Sequence, residues 1–153
     1  MTQGRAISMN AIVLVILVAL AGGVAVALQS PLASMLSQRL GVLESIFIIH
    51  VGGALLSLVP LLLIGGGRLG QWRSAPWYAL CAGVFGVVVI AAVSYTIPRV
   101  GVAASVITIV AGQLAVSTFL DQYGLLGTQV RPLEPTRVLG LVVVMLGVWL
   151  TVK

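Results

Sequence analysis

The chain has 153 residues, of which 60% are hydrophobic and only 7% are charged, whereas soluble domains carry about 25% charged residues. This composition and a mean hydropathy of +1.21 exclude a water-soluble globular protein. The net charge of +5 comes from basic residues that are scattered singly along the chain. Because they form no cluster, the basic balance does not indicate nucleic-acid binding.

Apolar segments recur along the whole chain and are long enough to cross a membrane, which takes about 20 predominantly apolar residues in a helix. We predict five spans, at roughly residues 9–36, 43–64, 76–97, 101–120 and 136–152. The fifth is short and should cross with little tilt. The predicted fold is an all-α integral membrane protein, with residues 1–153 forming one transmembrane domain.

The basic residues divide unevenly between the two sides of the predicted bundle. The N-terminal side holds Arg5, Arg68, Arg73, Arg131 and Arg137, and the other side holds Arg39, Arg99 and Lys153. Five against three favours a cytoplasmic N-terminus, but the bias is small enough for some copies to insert in the opposite orientation. We therefore expect a homodimer, with an antiparallel pair favoured over a parallel one.

The sequence contains an internal repeat with an offset of 60 residues. Residues 19–57 align without gaps on residues 79–117, and 12 of the 39 positions are identical. The best-matched part is a turn, RLGV at 39–42 against RVGV at 99–102. The repeat predicts two similar helical hairpins, from helices 1 and 2 and from helices 3 and 4, followed by a fifth helix without a counterpart.

Polar residues interrupt the first span at Gln29, Ser30 and Pro31. Proline has no amide hydrogen for the carbonyl of Ala27, so an uninterrupted helix is not expected here. One interpretation is a kinked helix in which Gln29 binds a neighbouring helix for packing. The other is a local helix break at Pro31, with Gln29 and Ser30 lining a substrate pathway, since polar groups inside spans often mark transport routes.

Further polar candidates lie in the second and fourth spans. His50, the only histidine, could carry a proton near neutral pH or simply form a hydrogen bond between helices. Gln113, Ser117 and Asp121 follow one another at four-residue spacing and form one polar stripe. The repeat aligns Ser57 with Ser117, so we add Ser57 to the predicted pathway. Asp121 has two alternative roles: ion or proton coupling, or a structural role in helix termination or in pairing with Arg131 or Arg99.

The single cysteine and the lack of catalytic or metal-binding motifs limit the functions that the sequence can have. Cys81, the only cysteine, falls inside the third span and is predicted to be a small packing residue. The sequence shows no metal-ligand spacing, phosphate loop, nucleophile elbow or paired carboxylates, so we expect neither an enzyme nor a cofactor or metal.

Several motifs resemble the YdcZ-type family of small five-helix inner-membrane proteins in the drug/metabolite transporter (DMT) superfamily. They are PWY at 76–78, PRVG at 98–101, AGQL at 111–114, LDQYGLLG at 120–127 and LGLVVVMLGVWL at 139–150. Gln29 matches a glutamine that the family tends to carry late in helix 1, but Ala33 stands where the family often has asparagine.

The resemblance implies an EamA/DMT-like fold and an exporter of small molecules that works as a dimer in the bacterial inner membrane. Related multidrug-resistance proteins hold cations with a glutamate in helix 1, which is lacking here, so a neutral or anionic substrate is favoured over a buried organic cation. The alternative is a small channel or a membrane interaction module that transports nothing.

Overall fold

The computed structural model describes residues 9–153, so Arg5 lies outside the described residues. Within this range five helices are long and apolar enough to cross a membrane, which confirms the predicted number and the all-helical fold. The helices have the following bounds: α1 Met9–Leu40, α2 Val42–Leu63, α3 Trp77–Leu80, α4 Ala82–Val100, α5 Val102–Tyr123 and α6 Pro135–Val152. Helices α3 and α4 together form the third span.

Helix α1 runs through Pro31 without a gap, so the prediction of a broken helix at this proline is wrong. Proline removes only one hydrogen bond of the helix, and a lipid environment offers the neighbouring backbone groups no alternative partner. The Ser30 hydroxyl also stays within the helix and donates to the carbonyl of Val26 at 2.7 Å. Helix α1 therefore continues to Leu40, beyond the predicted end of the span.

A single glycine separates the helices at each of two sharp turns. Gly41 lies between α1 and α2 with φ of 113°, and Gly101 lies between α4 and α5 with φ of 84°. Positive φ of this kind favours glycine because it has no Cβ. The two amides donate to the carbonyls of Ser37 and Ile97 at 2.9 Å. Both turns lie on the same side of the membrane, and we call this side the glycine-turn end.

The third span is irregular near the opposite end of the bundle. Cys81 lies in a turn between α3 and α4, and it is exposed on the chain surface. Cys81 thus lies within the third span, as predicted, but its exposed side chain contradicts the predicted packing role. It lies in the half of the molecule where the spanning helices have no buried residues, so no neighbouring helix covers its side chain.

The buried residues of the described chain concentrate towards the glycine-turn end. They fall between positions 30 and 46 and between positions 90 and 111. Half of them are serines: Ser30, Ser34, Ser37, Ser45, Ser94 and Ser105. Small side chains allow helices to approach closely in a membrane, where packing rather than the hydrophobic effect drives association. We refer to these six residues as the serine layer.

The helices diverge away from the serine layer. Helix α1 packs against α4, α2 and α5, α4 also packs against α2 and α5, and α6 packs against α5. Yet the 18-residue apolar window of α1 contains no buried residue, and Gly22 and Gly23 have no neighbouring atom near the Cβ position. One end of the bundle is therefore closely packed, and the other leaves its helices apart.

We expect Ser45→Ala to destabilise the protein by about 0.6 kcal/mol and by no more than about 2 kcal/mol. Ser45 is fully buried, and its hydroxyl donates to the carbonyl of Ala33 in the neighbouring helix at 3.1 Å. Ser57→Ala is the control, since Ser57 is exposed and bonds only to Ala54 of its own helix. Unfolding in denaturant would measure both variants, and equal stability losses would contradict the interhelical role of Ser45.

Candidate functional site

A cavity of about 490 Å³ lies between α1, α2, α4 and α5, directly next to the serine layer. Its polar lining consists of Gln29 and Ser30 from α1, His50 from α2 and Gln113 from α5. All four were predicted as pathway residues from the sequence. Its apolar lining consists of valine, isoleucine, alanine and glycine side chains. We call this space the polar cavity.

The polar cavity contains hydrogen-bonding groups that the protein itself leaves free. The side-chain amides of Gln29 and Gln113 have no hydrogen-bond partner among residues 9–153. His50 lies with Nδ1 at 2.8 Å from the carbonyl oxygen of Ile46. A carbonyl can only accept, so Nδ1 carries the hydrogen and Nε2 presents its lone pair. Two amides and one imidazole nitrogen are therefore available to water or to a ligand.

Most hydroxyl groups in the spans show the opposite behaviour, since they bond to carbonyls of their own helix. Examples are Thr96 to Ala92, Thr108 to Ala104 and Thr118 to Leu114, at 2.7–2.8 Å. Unsatisfied polar groups are costly at membrane depth. The free amides of the polar cavity thus need a partner outside this chain, which can be water, a ligand or a second copy of the protein.

Residues 60 positions apart line the polar cavity in pairs. The pairs are Val26 and Gly86, Gln29 and Val89, Ser30 and Ile90, Ala33 and Val93, and Gly53 and Gln113. Ile49 and His50 complete the lining without such a counterpart in it. The polar members, Gln29 and Ser30 of α1 and Gln113 of α5, are each paired with an apolar residue or a glycine. Equivalent positions of the two repeats therefore line the cavity, but the side chains at these positions differ in polarity.

Ser57, Ser117 and Asp121 do not line the polar cavity. Ser57 is exposed on α2 and its hydroxyl donates to Ala54 at 2.9 Å. Ser117 and Asp121 line a second, separate pocket of about 390 Å³ between α5 and α6. The polar stripe predicted along the fourth span is thus divided, with Gln113 in one space and the other two residues in another.

Asp121 forms its ion pair with Arg137 of α6 at 3.8 Å, with both side chains about one-third exposed. The predicted side-chain pairings with Arg131 or Arg99 are therefore wrong. Arg131 contacts Asp121 only through the backbone, where its amide donates to the Asp121 carbonyl at 2.8 Å. Arg99 precedes α5, so about 30 Å of helix separates it from Asp121, and it instead stacks 3.6 Å from the Tyr95 ring centre.

Residues 14–150 match the model of a protein family described as "Putative inner membrane exporter, YdcZ" (DMT_YdcZ). The chain belongs to the YdcZ family. The match confirms the resemblance inferred from the sequence, and it makes the chain a multi-pass inner-membrane protein of an exporter family rather than of an enzyme family. No curated protein and no solved structure matches the chain.

Gly86 is a residue of the polar cavity that the sequence analysis did not select. A Cβ at this position would lie only 2.9 Å from Nε2 of His50. The internal repeat does not predict this role, because it aligns Gly86 with Val26. The absence of a side chain at Gly86 thus makes room for the imidazole.

We expect Gly86→Ala to displace the His50 ring while the protein remains folded. The new methyl group would meet Nε2 at the far end of a side chain that can rotate away. His50 is the only histidine, so its ring gives one set of nuclear magnetic resonance signals, which should shift. Gly83→Ala is the control, because nothing lies within 4 Å of its Cβ position. Unchanged His50 signals in Gly86→Ala would contradict this contact.

Proposed function

We propose that this YdcZ-family protein exports a small molecule and that the molecule passes through the polar cavity. The observation that carries the proposal is the meeting of Gln29, His50 and Gln113, from three helices, in one space. Their free hydrogen-bonding groups suit a solute that binds, loses part of its hydration and leaves again. Ser30 adds little to recognition, because its hydroxyl is already bonded to Val26.

The lining of the cavity favours a neutral or anionic substrate over an organic cation. It includes no Asp or Glu, so a buried cation would lack a counter-ion. Removing a charge from water without such a partner is costly. Asp121 does not supply the missing carboxylate, since it lies in the pocket between α5 and α6.

His50 is the proposed site of proton coupling. Its Nε2 lone pair belongs to the cavity, and a proton added there would convert an acceptor into a donor and add a positive charge. Such a change alters the affinity of the cavity for its solute, which is the requirement for exchanging protons against substrate. Asp121 with its partner Arg137 is the second candidate for coupling, at a separate place.

A homodimer accounts for the surface that one chain leaves uncovered. Five spans enclose the cavity incompletely, and α1 offers its apolar window without a neighbour inside the chain. The weak charge bias of the sequence favours an antiparallel pair over a parallel one. Two chains together would provide ten spans.

Untargeted export from vesicles tests the proposed function. Proteoliposomes loaded with a bacterial metabolite extract are given a pH gradient, and the released solutes are identified by mass spectrometry. Release of one or a few solutes that saturates with concentration supports a transporter. Unsaturable release of many solutes would indicate a channel, and release equal to that of protein-free vesicles would indicate a module without transport.

Dual insertion is tested by cysteine labelling in a Cys81→Ala background. We expect Ser74→Cys and Lys153→Cys each to react with an impermeant thiol reagent from both sides of the membrane, because the chain is only weakly oriented. The two positions lie at opposite ends of the bundle, Ser74 before the third span and Lys153 after the last. Strictly one-sided labelling at both positions would reject the antiparallel dimer.

A further inference from the structure

We propose that the polar cavity selects an uncharged solute with a hydrogen-bond donor and an acceptor side by side, such as a lactam or a ureide. This inference rests on the proposed function and narrows its substrate class. The inference excludes anionic substrates, which the absence of carboxylates from the cavity would by itself still allow.

The first step of the argument is the charge of the lining. No Asp, Glu, Lys or Arg lines the cavity, and His50 is its only titratable residue. While His50 is uncharged, an anion would therefore find no cationic partner, just as a cation would find no carboxylate. Desolvating either ion at membrane depth is unfavourable without a partner of opposite charge. A neutral solute avoids both costs.

The second step is the pattern of free polar groups. Each primary amide presents a carbonyl acceptor next to an NH2 donor, and neither Gln29 nor Gln113 uses them on partners among residues 9–153. Such an amide forms two parallel hydrogen bonds with a group that carries the same pair in reverse order, as glutamine does with a base edge. A cis-amide edge in a ring has this arrangement, whereas an ether, an ester or an alkane does not.

The third step is the size and shape of the space. A water molecule occupies about 30 Å³ of the liquid, so the 490 Å³ cavity holds a solute of roughly ten to sixteen non-hydrogen atoms. The remaining lining offers branched apolar side chains such as Ile49, Val89 and Ile90. These surfaces suit a small ring system whose one edge is polar and whose body is apolar.

The probe for this inference is 2-quinolone, a fused-ring lactam, measured by equilibrium dialysis against the purified full-length protein in detergent. Three analogues of similar shape complete the set. N-methyl-2-quinolone lacks the donor, quinoline-2-carboxylate is an anion and N-methylquinolinium is a cation. We expect saturable binding of 2-quinolone and at least about tenfold weaker binding of each analogue, the loss that a missing pair of hydrogen bonds produces.

Variants distinguish binding of 2-quinolone in the polar cavity from its partitioning into the detergent micelle. At least one of Gln29→Leu and Gln113→Leu should weaken 2-quinolone binding about tenfold, because the single lactam edge pairs with one amide, while Gln129→Leu, in an exposed loop outside the cavity, should leave it unchanged. Helix content and elution volume show whether each variant is folded. Binding of N-methyl-2-quinolone, which lacks the donor, tests the hydrogen bond from the solute in the wild-type protein.

The outcomes distinguish this inference from the proposed function. Binding of 2-quinolone without vesicle release of any solute supports the substrate class and overturns the transporter. Saturable release of charged solutes alone supports the transporter and overturns the substrate class. The inference is also overturned if 2-quinolone shows no saturable binding, or if a charged analogue binds as tightly.

Discussion

Replacing Gln29 with alanine should lower the export rate about tenfold while the protein stays folded. Gln29 lines the polar cavity and makes no hydrogen bond with the described chain, so its loss removes a contact with the solute and no internal hydrogen bond. An amide that forms two hydrogen bonds with the solute, each of about 0.7 kcal/mol, contributes about 1.4 kcal/mol, which is a factor of ten. The same effect is expected for Gln113→Ala.

The comparison requires transport and stability on the same preparation. The measured rate is that of the solute released by the wild-type protein, and the melting temperature is recorded beside it. Gln129→Ala is the matched control, since it makes the same change in an exposed loop. A clear fall in melting temperature with an unchanged export rate would show that the two cavity amides serve packing alone.

Export measured from about pH 5.5 to 7.5 should change with pH, because Nε2 of His50 can accept a proton inside the polar cavity. His50 is the group responsible, since no other titratable side chain from α1, α2, α4 or α5 lines the polar cavity. Its Nδ1 hydrogen is held by the Ile46 carbonyl, so the exchanging proton binds Nε2. His50→Gln keeps a polar group and removes the proton site.

The variant should therefore export with a flat pH profile rather than lose export altogether. Asp121→Asn is the comparison, because it removes the other candidate for coupling from the pocket between α5 and α6. A wild-type profile that is flat over the window, or a His50→Gln profile with the same slope, would contradict coupling by His50. A profile that flattens only in Asp121→Asn would transfer the coupling role to that residue.

The number of spans and the polar residues of the cavity could be predicted from the sequence. Spans follow from composition, since hydrocarbon accepts only helices with few polar residues. Gln29, His50 and Gln113 stand out because large polar side chains are rare in apolar runs. The serine layer was missed, although the repeat aligns Ser34 with Ser94 and Ser45 with Ser105 as identical residues. Identity between repeats therefore indicated the packed end of the bundle.

The remaining features depend on distances between helices, which helical spacing alone does not give. Gln113 and Ser117 are one turn apart on α5, yet they line different spaces. The reason is that α6 packs against the part of α5 that carries Ser117 and Asp121. The partner of Asp121 is set by the same packing, which brings Arg137 near. The continuity of α1 at Pro31 was mispredicted because one missing hydrogen bond is a small loss against the whole helix.

The serine layer also determines how easily the closed end of the bundle can separate. Ser30, Ser37 and Ser105 donate to carbonyls of their own helices, and these bonds persist whether or not the helices touch. Only Ser45 donates across, to Ala33. Parting α1 from α2 here would thus break one hydroxyl hydrogen bond of this layer and otherwise cost only contacts between small side chains. This closed end is therefore held mainly by close packing, and opening it would cost one interhelical hydrogen bond, that of Ser45 to Ala33.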